Sequence, residues 1–309
     1  MGGTFGTAGG SRPRITVSTS TRTCHQPEQK ELIMSVERIL VGLDDAQASW
    51  TALRWVANRA ADAPATVRIV HALESTDTDV MMVRARLADA AAFVRSTAPG
   101  TVVDTDVERG FAADTLVDDA STADLLVIGA HRNRRLRSAL TGSLPERIAT
   151  RAPVPTVVIP DDWTFGTGPV VIGIDAETAE GALTFGLQEA RRSHRSVHLV
   201  HAWRVTAPVS ARPIALLEDA SAADEQSARL VLAAATRSAE QLEPAVKVRA
   251  ALWEGDPGEA LTKAGVEGSL IVVGRRHRTM IGGELFGSVA RDTMHRSKTP
   301  VVIVPVPTA

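Results

Sequence analysis

Short apolar runs alternate with longer amphipathic stretches along this chain. Ile39-Leu-Val41, Val67-Arg-Ile-Val70, Leu125-Leu-Val-Ile128 and Val157-Val-Ile159 are nearly continuous runs of aliphatic residues. That pattern predicts parallel strands buried on both faces. The stretch Ala46 to Ala61 contains no Gly or Pro and carries Leu53, Val56 and Ala57. Val83, Leu87, Ala90, Ala91 and Val94 recur every three or four residues, which gives a helix with one apolar face. Strand alternating with helix predicts a doubly wound α/β sheet.

The pattern then repeats. Val170-Val-Ile172, Val197-His-Leu-Val200, Leu270-Ile-Val-Val273 and Val301-Val-Ile-Val304 answer to the four runs above. Ala220 to Ala239 stands where the second helix of the first copy stands, with Leu230, Val231 and Leu232 available to the sheet. Glu108-Arg-Gly110 is aligned with Glu254-Gly255-Asp256. Gly129 and Gly142 recur 145 positions later as Gly274 and Gly287, each pair flanking the same kind of loop. Repetition at fixed spacing means tandem units. The expected organisation is a tail or upstream start over 1–34, a first domain over 35–160, a turn-rich linker over 161–168 and a second domain over 169–306. Each domain is expected to hold five strands, and the short linker predicts that the two pack as a pseudo-symmetric pair.

Composition narrows the class of protein. Of 309 residues, 44% are apolar and 23% charged, with a formal net charge of −2. This balance gives no electrostatic reason to expect nucleic acid or an acidic membrane as partner. No apolar stretch approaches the roughly 20 residues of a membrane helix. The one cysteine, Cys24, lies outside both repeats and fits a reducing cytoplasm. Residues 1–33 lack the apolar core of a secretory signal, and Gly6 breaks the lipidation pattern. They read as a disordered tail, or Met34 is the true start.

In open α/β sheets a ligand lies beyond the carboxyl ends of the strands, where the strand order reverses. The sequence places Gly42, Asp44 and Gly129 there in the first copy, and Gly173, Asp175 and Gly274 in the second. Glycine lets a phosphate approach the main chain. Gly142-Ser143 and Gly287-Ser288 open helices whose amides suit phosphate oxygens. The two aspartates are placed to accept from ribose hydroxyls or an adenine edge; the bland alternative is that they cap the following helices. Ser143 and Ser288 are expected as N-caps in either case. His131, Arg132, Arg134, Arg135 and Arg137 in one loop, and Arg275, Arg276, His277 and Arg278 in the other, suit di- or triphosphate. A solvated basic rim or a contact for an acidic partner fits them equally. His71 and His201 end equivalent strands and read as packing residues, since no cluster of metal-ligating residues accompanies them. Neither loop has the Gly-Lys-Ser/Thr ending of a Walker loop. No nucleophile–base arrangement stands out.

These residues resemble the universal stress protein family, in particular its tandem two-domain members. The resemblance covers about residues 36 to 306. It rests on Ile39-Leu-Val-Gly42-Leu-Asp44 and Val170-Val-Ile-Gly173-Ile-Asp175, and on the doubled loop in which a glycine precedes Gly-Ser by a fixed interval. It implies two Rossmann-like units of five parallel strands in the order 3-2-1-4-5, pairing through the last strand, and ATP in the crevice, with or without Mg. Carried over, Gly42, Asp44, Gly129, Gly142 and Ser143 would hold nucleotide in the first unit. Gly173, Asp175, Gly274, Gly287 and Ser288 would do so in the second. Arg132 and His277 stand where the motif has its second glycine; a Cβ there resists a left-handed backbone at about 1 kcal/mol or more. The implied function is an ATP-binding regulator of the stress response without fast catalysis. Its expected partners are adenine nucleotide, an unidentified protein and a second copy or second half of the chain. The alternatives are a non-binding interaction module and a slow nucleotide hydrolase.

Overall fold

The computed structural model describes residues 36–75, 79–131, 143–175, 179–204, 214–275, 278–280, 283–285 and 287–306. Arg132, Gly142 and His277 lie outside them, as do Arg134, Arg135, Arg137, Arg276 and the whole 1–35 segment. The first repeat runs β1 (Glu37–Gly42), α1 (Gln47–Asp62), β2 (Ala65–Leu73), α2 (Val80–Thr97), β3 (Val102–Arg109), α3 (Ala112–Ala120), β4 (Leu125–Ala130), α4 (Leu144–Arg151) and β5 (Thr156–Pro160). The second runs β6 (Val170–Gly173), α5 (Ala179–Arg192), β7 (Val197–Trp203), α6 (Ile214–Leu242), β8 (Val248–Glu254), α7 (Pro257–Gly265) and β9 (Leu270–Gly274). It closes with a short hairpin of β10 (Arg278–Met280) and β11 (Gly283–Leu285), then α8 (Ser288–Arg296) and β12 (Val301–Val304).

Each repeat has the strand order 3-2-1-4-5, but the two sheets are not separate. They join into one ten-stranded sheet, β3-β2-β1-β4-β5-β12-β9-β6-β7-β8. Pairs within each repeat are parallel, and the junction of β5 with β12 is antiparallel, with Val157 opposite Val302. The closing strands therefore pair within the chain. The hairpin β10-β11 is an addition to the five-strand expectation.

Two apolar layers sandwich the sheet. Helices α1, α2, α5 and α6 cover one face through residues such as Leu53, Leu87, Leu187 and Leu232. Helices α3, α4, α7 and α8 cover the other through Leu116, Ile148, Leu261 and Met294. Strand residues alternate between these cores: Ile39 and Val41 enter the first, Leu40 the second. Helix α2 buries Val83, Leu87, Ala90, Ala91 and Val94, the face its periodicity predicts. Asp79 caps it, its side chain accepting from the amides of Met81 and Met82. Of the three apolar residues expected to face the sheet from α6, Leu232 is buried, Val231 partly so and Leu230 61% exposed, while Ala228, Ala235 and Ala239 are buried beside Leu232. Three consecutive helical residues fan over about 200° of arc at 3.6 residues per turn, so one apolar face does not take all of them.

The segment between the repeats is anchored. Trp163 is buried under Arg54, whose guanidinium stacks on its ring and donates to its carbonyl at 3.0 Å. A Cβ on Gly168 would lie 1.5 Å from the Glu267 carbonyl oxygen, so only glycine fits there.

Candidate functional site

The strand order reverses between β1 and β4, and again between β6 and β9. The chain leaves β1 for α1 on one face of the sheet and leaves β4 for α4 on the other. In sheets of this kind the ligand crevice lies at such a reversal, beyond the carboxyl ends of the strands. Gly42 ends β1, with Asp44 two residues on, Gly129 lies at the end of β4 and Ser143 just before α4. Gly173, Asp175, Gly274, Gly287 and Ser288 hold the corresponding places at the ends of β6 and β9 and the start of α8.

The described glycines have reasons of their own. A Cβ on Gly129 would lie 2.3 Å from the backbone of Ala48, so the first turn of α1 is seated directly on the end of β4. A Cβ on Gly42 would lie 2.7 Å from Leu116, and one on Gly173 3.1 Å from Leu261. These positions are closed by helix packing, and at these side-chain positions no open space is left for a phosphate. At Gly129 the requirement for glycine is steric, because the contact is with backbone, whereas at Gly42 and Gly173 it is with the ends of leucine side chains, which can shift. Spacing alone did not separate the steric reading from the phosphate one.

Asp44 is exposed, and its Oδ1 accepts from the Ala46 amide at 2.9 Å and from the Ser49 hydroxyl. It therefore shapes the entry to α1, though Ala46 is the formal cap. Asp175 is half-buried at the matching place. The His71 ring nitrogen lies 2.8 Å from the Leu43 carbonyl and the His201 ring nitrogen 2.7 Å from that of Ile174. In both copies this fixes the residue just before the aspartate, an orienting role for the two strand-end histidines. Gly110 and Gly255, at φ of 143° and 128°, each donate to the last carbonyl of the neighbouring strand, Leu73 and Trp203. These are true counterparts, so the sequence alignment of this segment is off by one. The positive φ fixes the match, because L side chains resist it. Asp256 then caps α7, accepting from Glu259 at 2.9 Å, where the first copy has exposed Phe111.

The two helix starts differ. Ser143 caps α4 and bonds Glu146 twice: its hydroxyl donates to Glu146 Oε1 at 3.0 Å and accepts from the Glu146 amide at 3.4 Å. In α8 the cap is Gly287, and Ser288 is the first helical residue with no capping bond from its side chain. The expectation that Ser288 caps is thus corrected: the flanking backbone turns one residue earlier. Glu146 is buried and also receives His295 Nε2 at 2.7 Å and Arg291 Nε at 3.2 Å, both from α8. Burial pushes its carboxyl up, but His295, Ser143 and Arg291 outweigh this and hold it below the usual carboxylate range. The Ser143–Glu146 pair lies close in sequence; the partners of Glu146 on α8 do not, since they lie in the other repeat.

The basic loop residues do not act as one cluster. Arg275 is buried and donates to the carbonyls of Ala152 at 2.7 Å and Ala149 at 3.4 Å. It satisfies the buried C-terminal end of α4, where carbonyls lack helical partners and a cation complements the helix dipole. His131 pairs with Asp161 at 3.3 Å. Among the described residues no group of three or more His, Cys, Asp or Glu is placed to hold a metal ion, and no helix is long and apolar enough to cross a membrane.

A doubled 3-2-1-4-5 sheet with a crevice at each reversal defines a tandem Rossmann-like protein. The profile of the universal stress protein family matches residues 35–160 and again 167–305, and the chain belongs to that family. It is 28% identical over 287 residues to universal stress protein Rv2623 of Mycobacterium tuberculosis (strain ATCC 25618 / H37Rv), covering 86% of this chain and 95% of that one. A universal stress protein from Archaeoglobus fulgidus DSM 4304 has the same fold, with a TM-score of 0.61 at 14% identity over 87% of this chain and 96% of that chain. A shorter universal stress protein in complex with cAMP matches 41% of this chain and 98% of that one, at 24% identity and a TM-score of 0.36.

Proposed function

We propose that the chain is an adenine-nucleotide-binding regulator of the cellular stress response, taking ATP in one or both crevices. The observation that carries this is the doubled arrangement itself. Each crevice has an aspartate after its first strand, a histidine bracing the residue before it, and a helix start opposite. An exposed carboxylate suits sugar hydroxyls, and helix N-termini suit phosphates. No described cluster suits a resident cation, so Mg would arrive on the phosphates. The reading assigns no rapid turnover. Bound nucleotide acts by favouring one conformation or one partner over another, which requires unequal affinity for two states. The cytoplasm is the proposed compartment.

One observation favours the rival, an interaction module that binds no nucleotide. Gly129 is accounted for by packing, Asp44 by its local turn and Arg275 by the α4 carbonyls. Calorimetric titration with ATP and Mg separates the two. Saturable binding that is weakened by Asp44→Ala or Asp175→Ala supports the proposal; no heat from the full chain favours the rival. Steady ATP hydrolysis lost in the same variants would instead make it an enzyme.

A further inference from the structure

Residues on a twofold axis face their own counterparts. Val157 and Val302 hold the same place in the two closing strands and pair directly, so a pseudo-twofold axis passes between them. The charged residues flanking this axis follow a rule. Val67 and His71 recur 130 positions later as Val197 and His201, and the same spacing carries Arg59 to Glu189 and Asp62 to Arg192. Burial agrees with that alignment: Ala52, Leu53 and Ala60 of α1 match buried Ala182, Leu183 and Ala190 of α5.

These counterparts meet with opposite signs. Arg59 Nη1 and Nη2 each donate to Glu189 at 2.6 Å, the side chains being 3% and 9% exposed. Asp62 and Arg192 attract one another nearby. On the other face of the sheet the 145-position spacing relates Glu146 to Arg291, and these two pair at 3.2 Å. Two independent helix contacts, on opposite faces, therefore carry inverted charge at the same repeat position.

We propose that this inversion is a pairing code: the closing-strand face of each repeat accepts the unlike repeat and rejects its own kind. Two first repeats would bring Arg59 against Arg59 and Glu146 against Glu146. Two second repeats would bring Glu189 against Glu189 and Arg291 against Arg291. Arg59 would keep Glu37 and Glu189 would keep Arg192. Like charges set against each other in a buried interface still cost several kcal/mol, on the order of a hundredfold or more in affinity. Association of chains through this face is thereby limited to exchange of unlike repeats, and any other assembly uses different surfaces. The inference does not depend on nucleotide binding.

The test begins with the full chain, carrying a protease site in the exposed stretch between Thr164 and Thr167. The cut protein is unfolded in urea, refolded as the complete mixture and examined by native mass spectrometry. Unlike pairs are expected to exceed like pairs by at least about a hundredfold. A statistical mixture of like and unlike pairs would overturn the code. A second measurement uses uncut chains: Glu146→Arg, Arg291→Glu and the two together, compared by urea midpoint. Each single change is expected to lower the midpoint and the double to recover most of the loss. Additive losses in the double variant would also overturn it.

Discussion

Arg59→Ala is the most severe test of how the repeats are held together. The guanidinium makes four charge-assisted bonds, from Nε and Nη2 to Glu37 at 2.8 Å and from Nη1 and Nη2 to Glu189 at 2.6 Å. It also stacks 5.3 Å from the Trp55 ring centroid. Truncation leaves the Glu189 carboxylate buried with Arg192, at 3.7 Å, as its remaining cation. Removing one side of a buried pair costs about 3–5 kcal/mol, whereas an exposed pair is worth about 0–1 kcal/mol. Burial pushes the Glu189 carboxyl up, yet Arg59 outweighs this and holds it below its usual value. A depressed folded pKa contributes stability above the unfolded value of about 4.3 and loses it as pH falls through the folded one. In the variant the Glu189 carboxylate keeps only Arg192 and is relieved by protonation more readily, so the gap to wild type should narrow in acid. Urea unfolding followed by circular dichroism at pH 7 and pH 4 measures both quantities. A loss below about 1 kcal/mol at pH 7, or a gap that does not shrink at pH 4, would refute the reasoning. Arg59→Met with Glu189→Met should be milder than Arg59→Ala, because the uncompensated charge goes too.

Three further outcomes are expected. Gly129→Ala forces a Cβ to within 2.3 Å of the Ala48 backbone and should cost about 1–3 kcal/mol by overpacking, read as a lower urea midpoint. Arg275→Ala removes the donor to the Ala152 carbonyl; it should cost about 1–3 kcal/mol and speed amide exchange in α4 more than in α7. Asp44→Ala loses the bonds to Ala46 and Ser49 and should cost about 0.5–2 kcal/mol, as a lost cap does. On the functional reading it also weakens ATP binding at least about tenfold, and unchanged affinity in calorimetry would leave it only the turn.

Much of the architecture was legible because period and repetition are local signals. The apolar runs gave the strands, the Val83–Val94 spacing gave the buried face of α2, and the doubled loop gave the tandem plan. The merging of two sheets into one was not legible in the runs themselves. Val157 and Val302 look like any buried strand residues, and only their antiparallel pairing shows which edge they share. Register inside turns failed for a related reason: Gly110 and Gly255 are matched by positive φ, which spacing does not display. At the crevices, residue types were readable but their occupations were not. Arg275 looked like part of a phosphate rim and instead completes α4 across the repeat boundary. Glu146 gained its partners on α8 only because the fold lays the two helices together.

The central functional claim is met most directly by mass spectrometry of nucleotide released from freshly purified full-length protein, with its molar ratio to chain. The account predicts ATP carried through purification or taken up on adding ATP and Mg, at one or two per chain. No adenine nucleotide under either condition would contradict it and leave a paired-sheet interaction module.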